Sequence, residues 1–350
     1  MTKSRYRAMQ KSRENTRRWR GADLLAAPQS QESVLNESRF VSLKEHARVS
    51  VIVVTYNSVH YIASLIRNLR TAANHNSMRL VIVDNHSSDD TISIVEESDD
   101  ILLIRSDENL GYAGGINVGM RHAGEYDHLL ILNPDVIIAP DAIDKLLLAV
   151  DDEGIGAVAP LILDGKDHIV PSLHREPTLF RCLCDSIFSP KVCAQIGLPS
   201  ETEFRRENYD NPHDVDWASG AALLIPGPVV REVGEWDESF FLYSEEVDYF
   251  RRIRERNLRI RFEPSSIVKH PGRGSGSSMD LDALRAVNRV RYVEASRGPI
   301  YAAFYRAAVA LGHAMRAYKR VDRHVLMEVL KRSSWAQLPH RQERSVTCQP

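Results

Sequence analysis

Four short runs of β-branched and aliphatic residues, each stopping at a polar cluster, constrain this chain more than any other feature. Val49 to Val54 stops at Thr55-Tyr56-Asn57, and Leu80 to Val83 stops at Asp84-Asn85. Ile101 to Ile104 leads to the glycine-rich segment Glu108 to Gly115, and His128 to Leu132 stops at Asn133-Pro134-Asp135. Apolar runs this short read as parallel strands buried on both faces. Between the first two runs, Ile62, Leu65, Ile66 and Leu69 recur at three- and four-residue spacings within 58–74, which is one helical face. Ser87 to Asp90 reads as a turn and cap before a helix at 92–97, and a further helix is predicted from Ile116 to His122. Strands and helices alternating in this way predict an α/β fold, a doubly wound sheet with right-handed crossovers. Such sheets bind ligands at the carboxyl ends of their strands. All four polar clusters sit at such ends, so the sequence predicts that they converge on one crevice.

The second half is less regular. Residues 156–215 read as loop-rich, with prolines at 160, 171, 177, 190, 199 and 212. Order returns at Val215 to Gly220 and the apolar run Ala221 to Ile225. Phe240 to Asp248 leads into a basic helix through Arg256, followed by strands at 259–262 and 267–269, then His270 and a Gly/Ser-rich loop to Ser278. Residues 283–332 have a helical pattern, broken at Gly298-Pro299. The expected organisation is a basic arm over 1–45, a main domain over 46–282 with halves at 46–150 and 151–282, and a helical C-terminal extension with a tail over 283–350.

Composition excludes several classes. The 350 residues carry 45 Lys+Arg against 47 Asp+Glu, a balance of -2, so nothing marks the chain as a nucleic-acid binder. Charge is local instead, with Lys3, Arg5, Arg7, Lys11, Arg13, Arg17, Arg18 and Arg20 opposed by Glu14 alone. That arm reads either as a solvated tail or as an attraction to anionic lipid, about 1 kcal/mol per basic residue near a surface. The four cysteines, Cys182, Cys184, Cys193 and Cys348, lack the paired spacing of a metal framework and read as reduced thiols of a cytoplasmic protein. No apolar run reaches the ~18 to 20 residues of a membrane span. The expectation is a soluble or peripheral protein.

Several residues have the chemistry of a phosphate-metal site. A divalent cation beside a diphosphate needs only one or two protein carboxylates. Asp135, at a strand end and following Pro134, is a candidate ligand, although Asn-Pro-Asp is also a common turn. His270 is a second candidate, against the plain reading of an ordinary histidine. Glu245, Glu246 and Asp248 put three carboxylates into four positions at a helix start. Crowding and burial would raise a pKa toward that of a useful base, while the helix N-terminus pulls the other way, and simple charge complementarity competes as an explanation. Gly111, Gly114, Gly115 and Gly119 do not fit the dinucleotide fingerprint. They read as a close-approach surface for a ligand or as a tight turn, with Asn109 and Asn117 as polar handles. Asp84 reads either as an acceptor for a pyrimidine N–H or as a turn residue.

Taken in order, Val51 to Asn57, Val83 to Ser87, Asn109 to Asn117, Leu132 to Asp135, Trp217 to Ala221, Phe240 to Asp248 and His270 resemble family 2 of the glycosyltransferases with the GT-A fold, especially its rhamnosyltransferase-like members. The resemblance covers residues 48–320. It implies a GT-A type mixed sheet and a cytoplasmic, metal-dependent, inverting hexosyltransferase, peripheral at the inner face of the cell membrane. Thr55, Tyr56, Asn57 and Asp84 would hold the nucleoside of a nucleotide diphosphate sugar. Asn109, Gly111, Gly114, Gly115 and Asn117 would line the donor pocket, with Asn133 beside them. Trp217, Ser219 and Gly220 would shape the sugar and acceptor site, and Asp135 with His270 would hold Mg2+ or Mn2+. The family's Glu-Asp pair stands here as Glu245-Glu246, which makes Glu246 the expected base, and Asn133 replaces the first acid of the metal motif. dTDP-rhamnose is the first donor implied and UDP sugars the next, with a glycan or polyprenyl-diphosphate-linked acceptor. A nucleotidyltransferase, or a silent nucleotide-sugar-binding protein on the same scaffold, remains the alternative. A helix over 300–318 could lie on a membrane surface, pack on the catalytic domain or form a homodimer seam.

Overall fold

Each apolar run forms its strand in the computed structural model, which describes residues 39–73, 76–272 and 278–340. In chain order the first half runs β1 (Ala47–Thr55), α1 (Ile62–Ala73), β2 (Met78–Asp84), α2 (Thr91–Glu96), β3 (Leu102–Arg105), α3 (Gly111–Arg121), β4 (Tyr126–Leu132), β5 (Ile137–Ile138) and α4 (Ala142–Val150). The second half continues with β6 (Ile155–Leu163), β7 (Leu173–His174), α5 (Leu179–Phe188), α6 (Pro190–Ile196), β8 (His213–Val215), β9 (Trp217–Ala218), β10 (Ala222–Pro226), α7 (Gly227–Val233), α8 (Glu245–Arg254) and β11 (Arg259–Lys269). Three helices close the chain: α9 (Met279–Arg297), α10 (Pro299–Met315) and α11 (Arg320–Leu330). The basic arm and Cys348 lie outside the described residues, as does most of the Gly/Ser-rich loop.

The main sheet runs β3-β2-β1-β4-β10-β6-β11-β5, with β8 beside β11. β3, β2, β1 and β4 are parallel, whereas β10 is antiparallel to both β4 and β6. The sheet is therefore mixed, and the polar ends of β1, β2 and β4 lie on one rim. Alternation along β1 assigns the two faces. Val49, Val51 and Val53 pack with α1 and α4, while Ile52 and Val54 pack with α3, α7 and α8. A third core joins α9, α10 and α11 to Cys182, Phe240 and Val247, so the C-terminal helices brace the segment that leads into α8.

Three expectations change. Helix α3 begins at Gly111, five residues before the predicted start, and Gly114, Gly115 and Gly119 serve packing rather than ligand approach. A Cβ on Gly115 would lie 2.5 Å from Val54 Cγ1, one on Gly119 2.6 Å from Ile52 Cγ2, and one on Gly114 2.8 Å from Leu110 Cβ. Close contact between helix and strand thus outweighs the roughly 1 kcal/mol that a mid-helix glycine costs. Next, the proline-rich stretch 156–215 holds β6 and two helices. Pro190 occupies the first turn of α6, where its missing N–H would be unpaired anyway, and Thr178 Oγ1 caps α5 by accepting the Arg181 N–H. Finally, the two short strands at 259–269 are one strand with a register shift between Glu263 and Ile267, where Pro264 can donate no ladder bond.

Candidate functional site

The loop after β4 carries the first group of side chains. The Asn133 N–H donates to the Ala221 carbonyl at 2.9 Å, which ties the strand end to the start of β10. Asp135 follows, almost wholly buried. Its Oδ1 lies 3.0 Å from His270 Nε2, which the end of β11 brings across the sheet, and Asn133 Nδ2 lies 3.4 Å from the same nitrogen. Asp135 Oδ2 is buried with no hydrogen-bond partner. An unpartnered carboxylate oxygen costs about 1–3 kcal/mol or more, so this atom suits a cation that completes its shell with phosphate and water oxygens. No cluster of three or more His, Cys, Asp or Glu forms a metal cage among the described residues. The pair present fits a shared protein-phosphate ion.

The second group arrives with α8. Phe241, Tyr243 and Ser244 have φ of 40°, 68° and 75°, three side-chain-bearing residues in the left-handed region. Such residues persist only where their surroundings hold them. Here Asn288 of α9 donates its amide to the carbonyls of Phe240, Leu242 and Tyr243, and the Tyr112 N–H donates to the Phe241 carbonyl at 2.6 Å. The strained turn delivers Glu245 and Glu246 to the first turn of α8. Burial and the neighbouring Glu246 push Glu245 well above the carboxylate range, and its Oε2 has no partner. Burial also raises Glu246, against the lowering pull of backbone N–H groups and Arg285. Desolvation thus outweighs the helix N-terminus at both carboxylates.

Both groups line one cavity of about 850 Å³. Asn133, Asp135 and His270 lie on its wall, with Glu245 and Glu246. Tyr112 connects them: its hydroxyl donates to the Gly220 carbonyl at 3.2 Å and is raised by burial and by the charges of Glu246, Glu245 and Asp135. Trp217 forms another part of the wall. His174 stacks on it with centroids 4.0 Å apart, and burial depresses the His174 imidazole to about 3, so the platform is neutral at physiological pH. Ser219 and Gly220 share that wall, and a Cβ on Gly220 would lie 2.8 Å from Glu246 Cγ.

Beyond the ends of β1 and β2, Tyr56, Asn85, Asn109 and Gly111 reach the cavity. Asn85 fixes this corner by donating to Asn109 Oδ1 and the Gly111 carbonyl and accepting from the Leu110 N–H, each at 2.9 Å. Other predicted residues do not line the cavity. Asp84 is buried with Oδ1 accepting from Thr55 and Oδ2 from the Ser87 N–H, so Thr55 and Asp84 join the ends of β1 and β2. Asn57 caps the Ser87-Ser88 turn. Gly114 and Gly115 pack inside α3, and Asn117 is buried against the backbone of Trp236. Asp248 turns away into ion pairs with Arg251 and Arg252 at 2.7 and 2.8 Å. Sequence reasoning missed Tyr112, His174 and Arg285. Tyr112 sat inside a quoted motif, whereas nothing in the local sequence marked the other two.

Residues 50–217 match the family model described as Glycosyl transferase family 2. An N-acetylglucosaminyl-diphospho-decaprenol L-rhamnosyltransferase of Mycobacterium tuberculosis is 28% identical over 256 residues, covering 69% of this chain and 82% of that protein. The low-salt glycan biosynthesis hexosyltransferase Agl10 of Haloferax volcanii is 31% identical over 216 residues, covering 61% of this chain and 63% of that protein. Among solved structures, GalNAc-T7 with UDP, GalNAc and Mn2+ aligns at TM-score 0.52 and 18% identity, over 71% of this chain and 48% of that one. The mannosyltransferase PcManGT of Pyrobaculum calidifontis, in complex with GDP-Man and Mn2+, aligns at TM-score 0.50 and 16% identity, over 87% and 79%. At these identities the structural likeness shows the fold alone, and that fold is of the GT-A type.

Proposed function

We propose that this chain, a member of glycosyl transferase family 2, inverts the anomeric centre of a nucleotide diphosphate sugar by one displacement, with Glu246 as base and Asp135 with His270 as cation ligands. The observation that carries this reading is that Asp135, His270 and Glu246 line one cavity. Glu246 accepts the proton of the acceptor hydroxyl as that oxygen bonds to the anomeric carbon and the bond to the diphosphate oxygen breaks. Its raised pKa makes it a stronger base than an exposed glutamate. A divalent cation, when bound, neutralises charge developing on the diphosphate. Asp135 Oδ2 and His270 Nε2 are the groups that would hold it. Tyr56, Asn85 and Asn109 orient the donor, and the Trp217-His174 stack gives the sugar or acceptor a neutral platform.

The donor proposed is dTDP-rhamnose and the acceptor a lipid-diphosphate-linked N-acetylglucosamine, a reading supported by the mycobacterial relative's own activity. The test is a transfer assay with dTDP-rhamnose, UDP sugars and Mg2+ or Mn2+, with and without chelator, the product's anomeric configuration being read by NMR. Inverted product that needs the metal is expected. Asp135→Ala should lower Mn2+-dependent donor affinity roughly tenfold to a hundredfold by calorimetry. Retained configuration, or unchanged titrations in that variant, would contradict the assignment.

A further inference from the structure

Catalysis as proposed uses no residue of α10, whose inner side reaches the cavity through Val309 and His313. The outer side has no role in it, yet it is wholly apolar. Ile300, Ala303, Phe304, Ala307, Leu311 and Met315 are exposed, with Ile300 at 78% and Phe304 at 62%. At 3.6 residues per turn they form one stripe, opposite the buried Ala302, Tyr305, Val309 and Gly312. A surface helix ordinarily turns its polar face outward, whereas α10 is apolar both towards the third core and towards solvent.

Its neighbours continue the pattern. α5 packs on α10 in the third core and exposes Phe180, Ile187 and Phe188, and α6 exposes Val192 and Ile196. Residues 299–321 contain no acid. Between 179 and 196 the one acid is Asp185, which turns inward to accept the Glu201 N–H at 2.9 Å. Exposed cations flank the stripe in sequence at Lys191, Arg297, Lys319, Arg320 and Arg323, and the intervening Asp322 is taken up by His313 and Arg316. The chain as a whole is slightly acidic, at -2, so this cationic surround is local. The cavity that holds Glu246 also extends between these helices, being lined by Ser186, Pro190, Val309 and Arg316.

We infer that the outward stripe of α10, with the exposed apolar residues of α5 and α6, docks on an anionic lipid bilayer and brings the outer end of the cavity to the headgroup layer. No described helix is long and apolar enough to cross a membrane, so the contact is interfacial. Apolar side chains enter the headgroup boundary while Lys191, Lys319 and Arg320 meet lipid phosphates. A self-complementary seam between two copies would instead set these cations against their own kind. The inference deepens the proposed transfer and rests on it for the acceptor, whose diphosphate would lie at that interface.

The experiment is co-sedimentation of the full chain with vesicles of equal parts phosphatidylcholine and phosphatidylglycerol, and with phosphatidylcholine alone. The wild type should pellet with the anionic vesicles and less with the neutral ones. Ile300→Glu with Phe304→Glu should lower partitioning on the order of tenfold, with unchanged melting and unchanged transfer to a water-soluble acceptor. Phe304→Ser alone, with a smaller loss, serves if the double variant misfolds. A wild type that stays in the supernatant, or variants that bind as well as it does, would overturn the proposal. So would a dimer in sedimentation velocity that the double variant dissociates, since a second copy would then be the occupant. Vesicle binding without any transfer would instead leave the docking surface standing and remove the proposed reaction.

Discussion

The corner at the ends of β1 and β2, proposed to hold the donor, and the carboxylate corner are built on opposite principles. At the first, polar groups are satisfied by one another: Asp84 by Thr55 and Ser87, and Asn85 by Asn109, Gly111 and Leu110. At the other corner, Asp135 Oδ2 and Glu245 Oε2 are buried without partners, and both Glu245 and Glu246 are raised by burial. A satisfied network holds a shape. Unpartnered carboxylates, Asp135 in the loop after β4 and Glu245 behind a strained turn, are suited to receive a cation or a proton.

That contrast can be broken first at Glu246. Glu246→Gln keeps the volume and removes the proposed base, so turnover should fall about 10²- to 10⁴-fold while donor affinity stays near wild type. Equal losses in turnover and donor binding would make Glu246 a scaffold residue. Next comes Gly115, which packing rather than ligand approach requires. Gly115→Val should destabilise by about 1–3 kcal/mol through overpacking against Val54, read as a lowered denaturation midpoint. A stable variant with weakened donor binding would return that glycine to the pocket.

Smaller effects sharpen the comparison through pH. Glu245 has a raised folded pKa, so its contribution to stability is fully present below the unfolded glutamate value and is lost as pH rises through the folded one. Glu245→Gln should therefore raise the melting temperature at neutral and alkaline pH and change it little near pH 4. The opposite ordering would mean that Glu245 is charged and paired. Smallest should be the effect of Arg285, whose positive charge lowers Glu246. Arg285→Gln should move the acidic limb of the rate profile to higher pH, and an unmoved limb would place the titrating group elsewhere.

The two corners also differed in how much of them the sequence revealed. The strands of the first half were legible because their apolar runs are short, β-branched and sharply ended, and the convergence of Asp135, His270 and Glu246 on one cavity followed from motif order. α3 was misread because glycine's poor helix propensity is a local signal, while its fit against Ile52 and Val54 depends on tertiary contact. α5 and α6 were hidden because Pro177 and Pro190 were read as loop formers although both stand at helix starts. Asp248 looked like a third site carboxylate on spacing alone. Its side chain turns to Arg251 and Arg252, three and four residues on along α8.

The central claim is that the Asp135 pair and Glu246 serve one anomeric centre. A crystal structure with Mn2+ and an unreactive nucleotide-sugar analogue, phased for manganese by anomalous scattering, tests it most directly. The account predicts a manganese peak in coordination contact with Asp135 Oδ2 and His270, with the analogue's anomeric carbon facing Glu246 across the cavity. A manganese peak remote from Asp135, or a sugar whose anomeric carbon points away from Glu246, would contradict it.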